Sequence, residues 1–421
     1  MIELLEFVED GIYEMQNTRV DHLQPGVFIS LSEVGWMRHP FMLNEFRISS
    51  ESQIHVLREM GLLEIPWDPA RSTAEPLSAS APAVEEDFGA SALAGMLDAK
   101  RSRIERVRVR REQFARRERE YEKDMASAGS ILKTVAGRPQ EAHAQAKTLV
   151  GTMVEGLAKA ESEVIHLVNS KAKEMGEATH SVNVMVLSLL LGKALGLPEE
   201  EMKWLGMGAL LHDAGKVDVP TRILRSDKRT KTEEDFYRGH VAFGIKVVAG
   251  IRDLPVQVRN VIACHHERWD GSGHPNKLAA EKIPKLARIV ALANRYDNLC
   301  NPYDIKQANT PAETISHLFR KEVGHFQQEL LQAFVKMLGI YPPGSFVSLT
   351  DGTVGLVIES NSADILHPLL MLYDLDVPRA EALLLDLRDT DLAVASAINP
   401  ATLPLAVVEY LAPRGRVDYY I

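Results

Sequence analysis

The spacing of apolar residues changes several times along the chain, and each change predicts a different element. Near the start, PGVFISL reads as a turn followed by an alternating strand. In SSESQIHVLREMGL, Ile54, Leu57 and Met60 recur at helical spacing behind a serine cap. Residues 1–70 are therefore expected to form a small α+β domain. Residues 71–95 are rich in Ala, Ser, Pro and Glu and carry no period, which predicts a flexible linker. From 96 to 136, Val107, Phe114, Tyr121, Ala128 and Val135 recur every seven residues, and Met125 and Leu132 fill the intervening position. Arg111 and Glu118 interrupt that seam. Two readings stay open for this helix: a coiled coil joining two copies of the chain, and a solvated helix packed on its neighbours.

Residues 139–340 read as consecutive helices punctuated by Gly and Pro at LGLPEE, RDLPVQ and NTPAET. The pattern changes again at 343. GSFVSLTDGTVGLVIES alternates on both sides of Asp351-Gly352, a hairpin signal, and LLMLYDLDV and ALLLDL follow as strand-like runs. Residues 343–421 are expected as a β-rich appendage. The fold class is mainly α, with a small mixed domain before the helices and strands after them.

Composition narrows the function without identifying it. The 421 residues carry a net charge of −10, with 45% hydrophobic and 25% charged positions, as in an ordinary globular protein. That balance argues against nucleic-acid binding through a basic surface. The helix at 96–136 is locally basic, with 11 Lys/Arg against 6 Asp/Glu between 100 and 124, but interleaved acids would repel phosphate. The two cysteines form no CxxC pair, as suits a reducing compartment. MIELLEFVEDG lacks the basic start of a secretory signal, and the longest apolar run is broken by Gly192 and Lys193. A cytoplasmic location without a membrane span is expected.

The chemistry concentrates in the helical stretch. Of 14 histidines, His180 opens the run HSVNVMVLSLL, and His212 with Asp213 ends ALLHDAGK. There Gly215 is expected as the left-handed residue that stops the helix. His240 lies in a helix beginning near Thr232, and His265 and His266 end VQVRNVIACHH. Imidazole with carboxylate suits divalent Fe, Mn or Zn, and a carboxylate can bridge two ions. No cysteine has the spacing of a structural zinc site. A two-metal site activates water and holds a phosphoryl group for in-line attack.

LHDAGK, GHVAFG and HHERWDGSGHP, in this order and spacing over about 175–340, resemble the HD-GYP domains, bacterial phosphodiesterases for cyclic di-GMP. LQPGVFISL and GWMRHPFMLNEFRI resemble the uncharacterised domain often found before them, and YPPGSFVSLTDGTVGLV resembles the accompanying tail. The resemblance implies an HD-type all-helical metal-dependent phosphohydrolase holding two divalent ions, Fe or Mn. It puts the ligands at His180, His212, Asp213, His240, His265 and His266, with Asp213 bridging. Lys216 would contact substrate phosphate. Asp270, Gly271, Gly273 and His274 would bring the loop backbone to the dinucleotide.

The chain departs from the family at several places. The GYP tyrosine is His274. The closing aspartate of the family's A-D-x-x-D-A-L segment is Asn294, with Asp297 one turn on as a stand-in ligand. The basic R-P-Y-K stretch is NPYD at 301–304, which removes a phosphate contact. The acid that serves a third metal is Gly176, beside Glu177, so two metals are expected. The resulting expectation is a phosphodiesterase that opens cyclic di-GMP to pGpG, GMP or both. Against it stand a catalytically weak module that signals by binding cyclic di-GMP or metal, and a hydrolase of another nucleotide. A homodimer through the charged helix and protein partners of the first domain complete the expected interactions.

Overall fold

The computed structural model describes residues 15–34, 38–41, 43–78, 89–159, 164–168, 176–226, 228–361, 364–375, 377, 379–412 and 417–420. The chain divides into two compact units, Met1–Arg111 and Glu112–Ile421.

In the first unit, β1 (Gln16–Arg19), β2 (Phe28–Ser30), β3 (Glu45–Arg47) and β4 (Glu64–Trp67) form an antiparallel sheet in the order β1-β4-β2-β3. Helix α1 (Glu51–Glu59) supplies Ile54 and Leu57 to a core with Val27, Ile29, Leu31 and Ile65. Ser50 occupies the N-cap, but its hydroxyl pairs with Ser52 instead of the helix. The expected linker starts later than its composition suggests. Thr73 N donates to the Gly26 carbonyl at 2.8 Å and Leu77 N to that of His22 at 2.7 Å, while the Arg71 guanidinium lies 3.7 Å above the Phe28 ring. Residues 79–88 of that expected linker lie outside the described residues, and helix begins at Gly89.

Helix α2 (Gly89–Thr134) contains the heptad stripe. Within the second unit, Tyr121, Ala128, Ile131 and Val135 are fully buried in the chain's own core, with Met125 and Leu132 packed beside them. This half of the seam is spent inside the molecule. Val107's side chain lies outside what is described.

The helical core follows, with α3 (Pro139–Lys159), α4 (Glu177–Ala194), α5 (Glu199–Leu211), α6 (Thr221–Leu224), α7 (Lys231–Arg238), α8 (His240–Val248) and α9 (Val256–Cys264). Beyond the histidine loop come α10 (Lys285–Cys300), α11 (Pro311–Lys321) and α12 (Gln328–Leu338). Helix α4 is buried on every side from Thr179 to Gly192, packed against α5, α10 and α12. Such a helix needs no polar face, so the few polar residues on it stand out.

One strand was not legible in the helical stretch. Residues Val164–Val168 form β5, which pairs with β7 (Val354–Asn361) on one side and β11 (Asp418–Tyr420) on the other. With β6 (Phe346–Leu349), β8 (Asp364–Leu372), β9 (Leu384–Asp386) and β10 (Val394–Ile398), they make a seven-stranded sheet. Helix α13 (Leu405–Leu411) precedes β11. The β6–β7 hairpin turns at Asp351-Gly352, where Gly352 has φ +88°. The expected appendage is thus knitted into the helical unit through β5 and β11. No helix among the described residues is long and apolar enough to cross a membrane.

Candidate metal centre

His180 sits in the first turn of α4, His212 caps α5, His240 opens α8, and His265 and His266 follow α9. Their ring orientations are set from behind. His212 Nδ1 donates to the Ala209 carbonyl at 2.6 Å, His240 Nδ1 to Tyr237 at 2.6 Å, and His265 Nδ1 to Ile262 at 2.9 Å. A carbonyl can only accept, so each Nδ1 carries the proton and each Nε2 presents a lone pair. Those lone pairs converge. His180 and His212 Nε2 stand 3.3 Å apart, His240 and His265 3.3 Å, and His240 and His266 3.2 Å.

Lone pairs at this distance repel unless a cation or a proton stands between them. Ligand atoms about 2.1 Å from one ion lie roughly 3.0–3.4 Å from each other. The spacings found here match that requirement. Two donor groups result, His180–His212–Asp213 and Asp213–His240–His265–His266, each with its ligand atoms within 4.8 Å. Asp213 belongs to both. Its Oδ2 faces His180 at 3.4 Å and His212 at 3.2 Å, while Oδ1 faces His240 at 3.3 Å and His265 at 3.6 Å. Oδ1 is buried without a hydrogen bond, a cost that a cation would remove. The donor set fits divalent metal.

Electrostatics agree with this. Burial holds His265 down at about 3 and His266 well below the usual imidazole range, so both are neutral, as ligands must be. Burial opposes protonation at His180 too, but the carboxylates of Asp213 and Asp297 outweigh it and lift the ring to about 9. A proton and a divalent ion therefore compete for that Nε2. Lys216 Nζ lies 2.6 Å from Asp213 Oδ2, its charge held on by that carboxylate.

Gly215 is not the left-handed stop expected of it. It lies in a tight 3-10 turn, Ala214–Asp218, and a Cβ there would stand 2.0 Å from the His240 carbonyl and 2.2 Å from Gly244 N. The missing side chain lets this turn press against α8.

In the loop after His266, Gly271 has φ +77° and Asp270 Oδ1 accepts from Ser272 N at 2.9 Å. Gly273 serves the protein's own backbone: a Cβ would meet Arg268 N at 2.4 Å and Glu267 Cα at 2.5 Å. Glu267, which the sequence reading passed over, is buried and accepts from Asn276 N at 2.7 Å and Leu278 N at 3.0 Å, closing the loop. His274 stacks on His266 with ring centroids 4.6 Å apart, and its Nδ1 is buried without a partner.

The α10 residues fall differently from expectation. Asn294 is buried, and its carboxamide oxygen accepts from Asn298 at 2.5 Å. Asp297 Oδ2 lies 2.6 Å from His180 Nδ1, on the side of the ring away from the converging nitrogens. A carboxylate there orients the ligand and cannot share the ion that Nε2 faces. The stand-in role expected for Asp297 is corrected accordingly. In NPYD, Asn301 is buried in hydrogen bonds to Asp297 and Val417, and Asp304 caps the turn that follows. Asn183 also reaches Asp297, at 2.9 Å. It lies three residues after His180 on a largely apolar helix, and that i,i+3 pairing was the available signal.

Residues 162–330 match the HD domain (HD_5), and residues 16–146 match a domain of unknown function (DUF3391). A cyclic di-GMP phosphodiesterase of Pseudomonas aeruginosa is 36% identical over 191 residues, covering 45% of this chain and 46% of that protein. A cyclic di-GMP phosphodiesterase response regulator of Xanthomonas campestris is 36% identical, covering 35% and 39%. A 3'3'-cGAMP-specific phosphodiesterase of Vibrio cholerae is 32% identical, covering 34% and 27%. The chain thus spans less than half the length of these relatives. A solved HDG"Y"P protein from Bdellovibrio bacteriovorus covers 77% of this chain and 99% of its own, with 18% identity and a TM-score of 0.45.

Proposed function

We propose that this chain, which belongs to the HD-GYP family of HD-domain proteins, is a metal-dependent phosphodiesterase that opens cyclic di-GMP to linear pGpG, GMP or both. The observation that carries the reading is the Asp213 carboxylate, with one oxygen turned to each group of imidazoles. Two divalent ions, Fe or Mn, would supply Lewis acidity toward the phosphodiester and lower the pKa of a reacting water.

The chain's own residues do the rest. His180, His212 and Asp213 Oδ2 would hold one ion, and Asp213 Oδ1, His240, His265 and His266 the other. His180, His212, His240 and His265 need no reorientation, because their Nδ1 atoms are already fixed. Lys216 keeps Asp213 ionised and brings a positive charge to the edge of the site, where phosphate charge develops. His274, whose ring stacks on His266, would lie beside the bound dinucleotide.

A second reading draws on Asn294 and Asn301. With the first engaged by Asn298 and the second spent on Asp297, a module that binds nucleotide without turning it over is also consistent. One experiment separates the two. Protein loaded with Mn²⁺ or Fe²⁺ is incubated with cyclic di-GMP and, separately, 3'3'-cGAMP, and products are separated by chromatography. Linear products from cyclic di-GMP support the first reading. Binding without products supports the second, and turnover of 3'3'-cGAMP alone reassigns the substrate.

A further inference from the structure

Asp297 is itself held in place, and by a part of the chain remote in sequence. Its Oδ1 accepts from Asn183 Nδ2 and from Asn301 Nδ2, each at 2.9 Å. Both carboxamides are gripped in turn by β11 and by Val417, the residue before it. Asn301 Nδ2 donates to the Val417 carbonyl at 2.7 Å, and Asn301 Oδ1 accepts from Val417 N at 3.1 Å. Asn183 Oδ1 accepts from Tyr419 N at 3.3 Å. The strand is fixed at two further points. Tyr419 and Tyr296 share a hydroxyl–hydroxyl bond of 2.8 Å, and Tyr420 OH donates to Asp124 Oδ2 on α2 at 2.6 Å. All of these residues but Asp124 are buried, so none of the buried ones can exchange its partner for water at low cost.

We infer that β11 is a positioning element of the metal centre. Through Asn183 and Asn301 it holds Asp297, and Asp297 holds the His180 ring with Nε2 toward Asp213. Occupancy of the His180–His212–Asp213 group then depends on residues 417–420, while the His240–His265–His266 group, in which local carbonyls orient His240 and His265, does not. This rests on the metal reading above. Loss of a partner behind a ligating imidazole weakens metal binding by about 10- to 100-fold. Asn183, Asn301 and β11 touch no reacting atom; they act through Asp297.

The test uses metal-stripped full-length protein titrated with Mn²⁺ and followed by electron paramagnetic resonance. Wild-type protein should take up two ions and show the exchange-coupled signal of a pair. Asn301→Leu removes a donor to Asp297 and the grip of Val417 together. It should weaken one ion by about 10- to 100-fold, leave the other at wild-type affinity, and show isolated Mn²⁺ where the wild type is already coupled. If Asn301→Leu gives no cooperative thermal transition, Asn301→Ser and Asn183→Ser carry the same expectation at smaller volume change. Two ions bound with wild-type affinity in these variants overturn the inference, and so does an equal loss of both. Wild-type protein that takes up no Mn²⁺ refutes the metal reading and the inference with it.

Discussion

Lys216 and Asp213 meet at the edge of the histidine cluster, with Nζ 2.6 Å from Oδ2, so the ammonium covers one oxygen of the carboxylate that both donor groups share. Glu177 stands further out, 3.6 Å from the same Nζ. The lysine side chain is only 12% exposed, and its charge is therefore poorly screened by water.

Lys216→Met should keep much of the side chain's volume and all of the histidine ligands while removing that charge. Metal content should stay near that of the wild type, and turnover of cyclic di-GMP should fall about 100-fold or more, the usual cost of deleting one electrostatic stabiliser. Elemental analysis and initial rates measure the two separately. A rate within about tenfold of wild type, ~1.4 kcal/mol in barrier, would remove Lys216 from the mechanism.

Asn294→Asp puts an anionic oxygen on α10 three residues before Asp297. Mn²⁺ affinity is expected to rise by about tenfold, ~1.4 kcal/mol, as read by titration of the metal-stripped protein. Because Asp297 acts on His180 Nδ1, Asp297→Ala should reduce affinity by the same factor in the native and the Asn294→Asp backgrounds. A larger loss in the native background would return Asp297 to the role of substitute ligand.

Gly215→Ala tests the contact between the 3-10 turn and α8. The added methyl would fall 2.0 Å from the His240 carbonyl, so backbone must move. Destabilisation of about 3 kcal/mol is expected, together with weaker metal binding, because His240 rides on the displaced segment. Thermal melts and metal titration on one preparation decide it; an unchanged melting temperature counts against the packing described.

Glu322 sets a pH dependence away from the site. Burial raises its pKa, but hydrogen bonds and charge from Arg295, with His317, outweigh that and hold it at about 2. A carboxyl depressed in the folded state stabilises above its unfolded pKa of about 4.3, and that stability is lost as pH falls from there through about 2. Arg295 is over a third exposed, which discounts the contribution to about 1–2 kcal/mol near neutrality. Glu322→Gln should lower the melting temperature at pH 7 and leave it nearly unchanged at pH 2. Equal shifts at both values would show that packing, not charge, holds this site.

The legible and illegible parts of this protein differ for physical reasons. His180, His212, Asp213, His240, His265 and His266 could be read as a set because ligand chemistry restricts residue type, and the structure brings all six together. The roles of Asp297, Asn183 and Asn301 could not, since a buried acid or amide looks the same in sequence whether it faces an ion or the back of an imidazole. Gly215 and Gly273 were legible as glycines that matter, but the reason lay in close backbone approach, which depends on partners far along the chain. The strand β5 was hidden because five residues between helices, four apolar around His166, are too short to show a period of their own. The seven-residue stripe of α2 was real, yet periodicity does not say whether the other side of the seam is a second copy or the same chain.

The pairing of β5 with β11 has a consequence for how the molecule is made. Val168 leaves the ribosome roughly 250 residues before its partner Asp418, a delay on the order of 10–50 s at ordinary rates of translation. During that time all five histidines of the cluster are synthesised, but residues 417–420 are not. A nascent chain can therefore collect its imidazoles early and complete their alignment only when synthesis reaches Tyr420. On the inference above, filling of the His180–His212–Asp213 group would wait for residues 417–420, whereas filling of the His240–His265–His266 group would not.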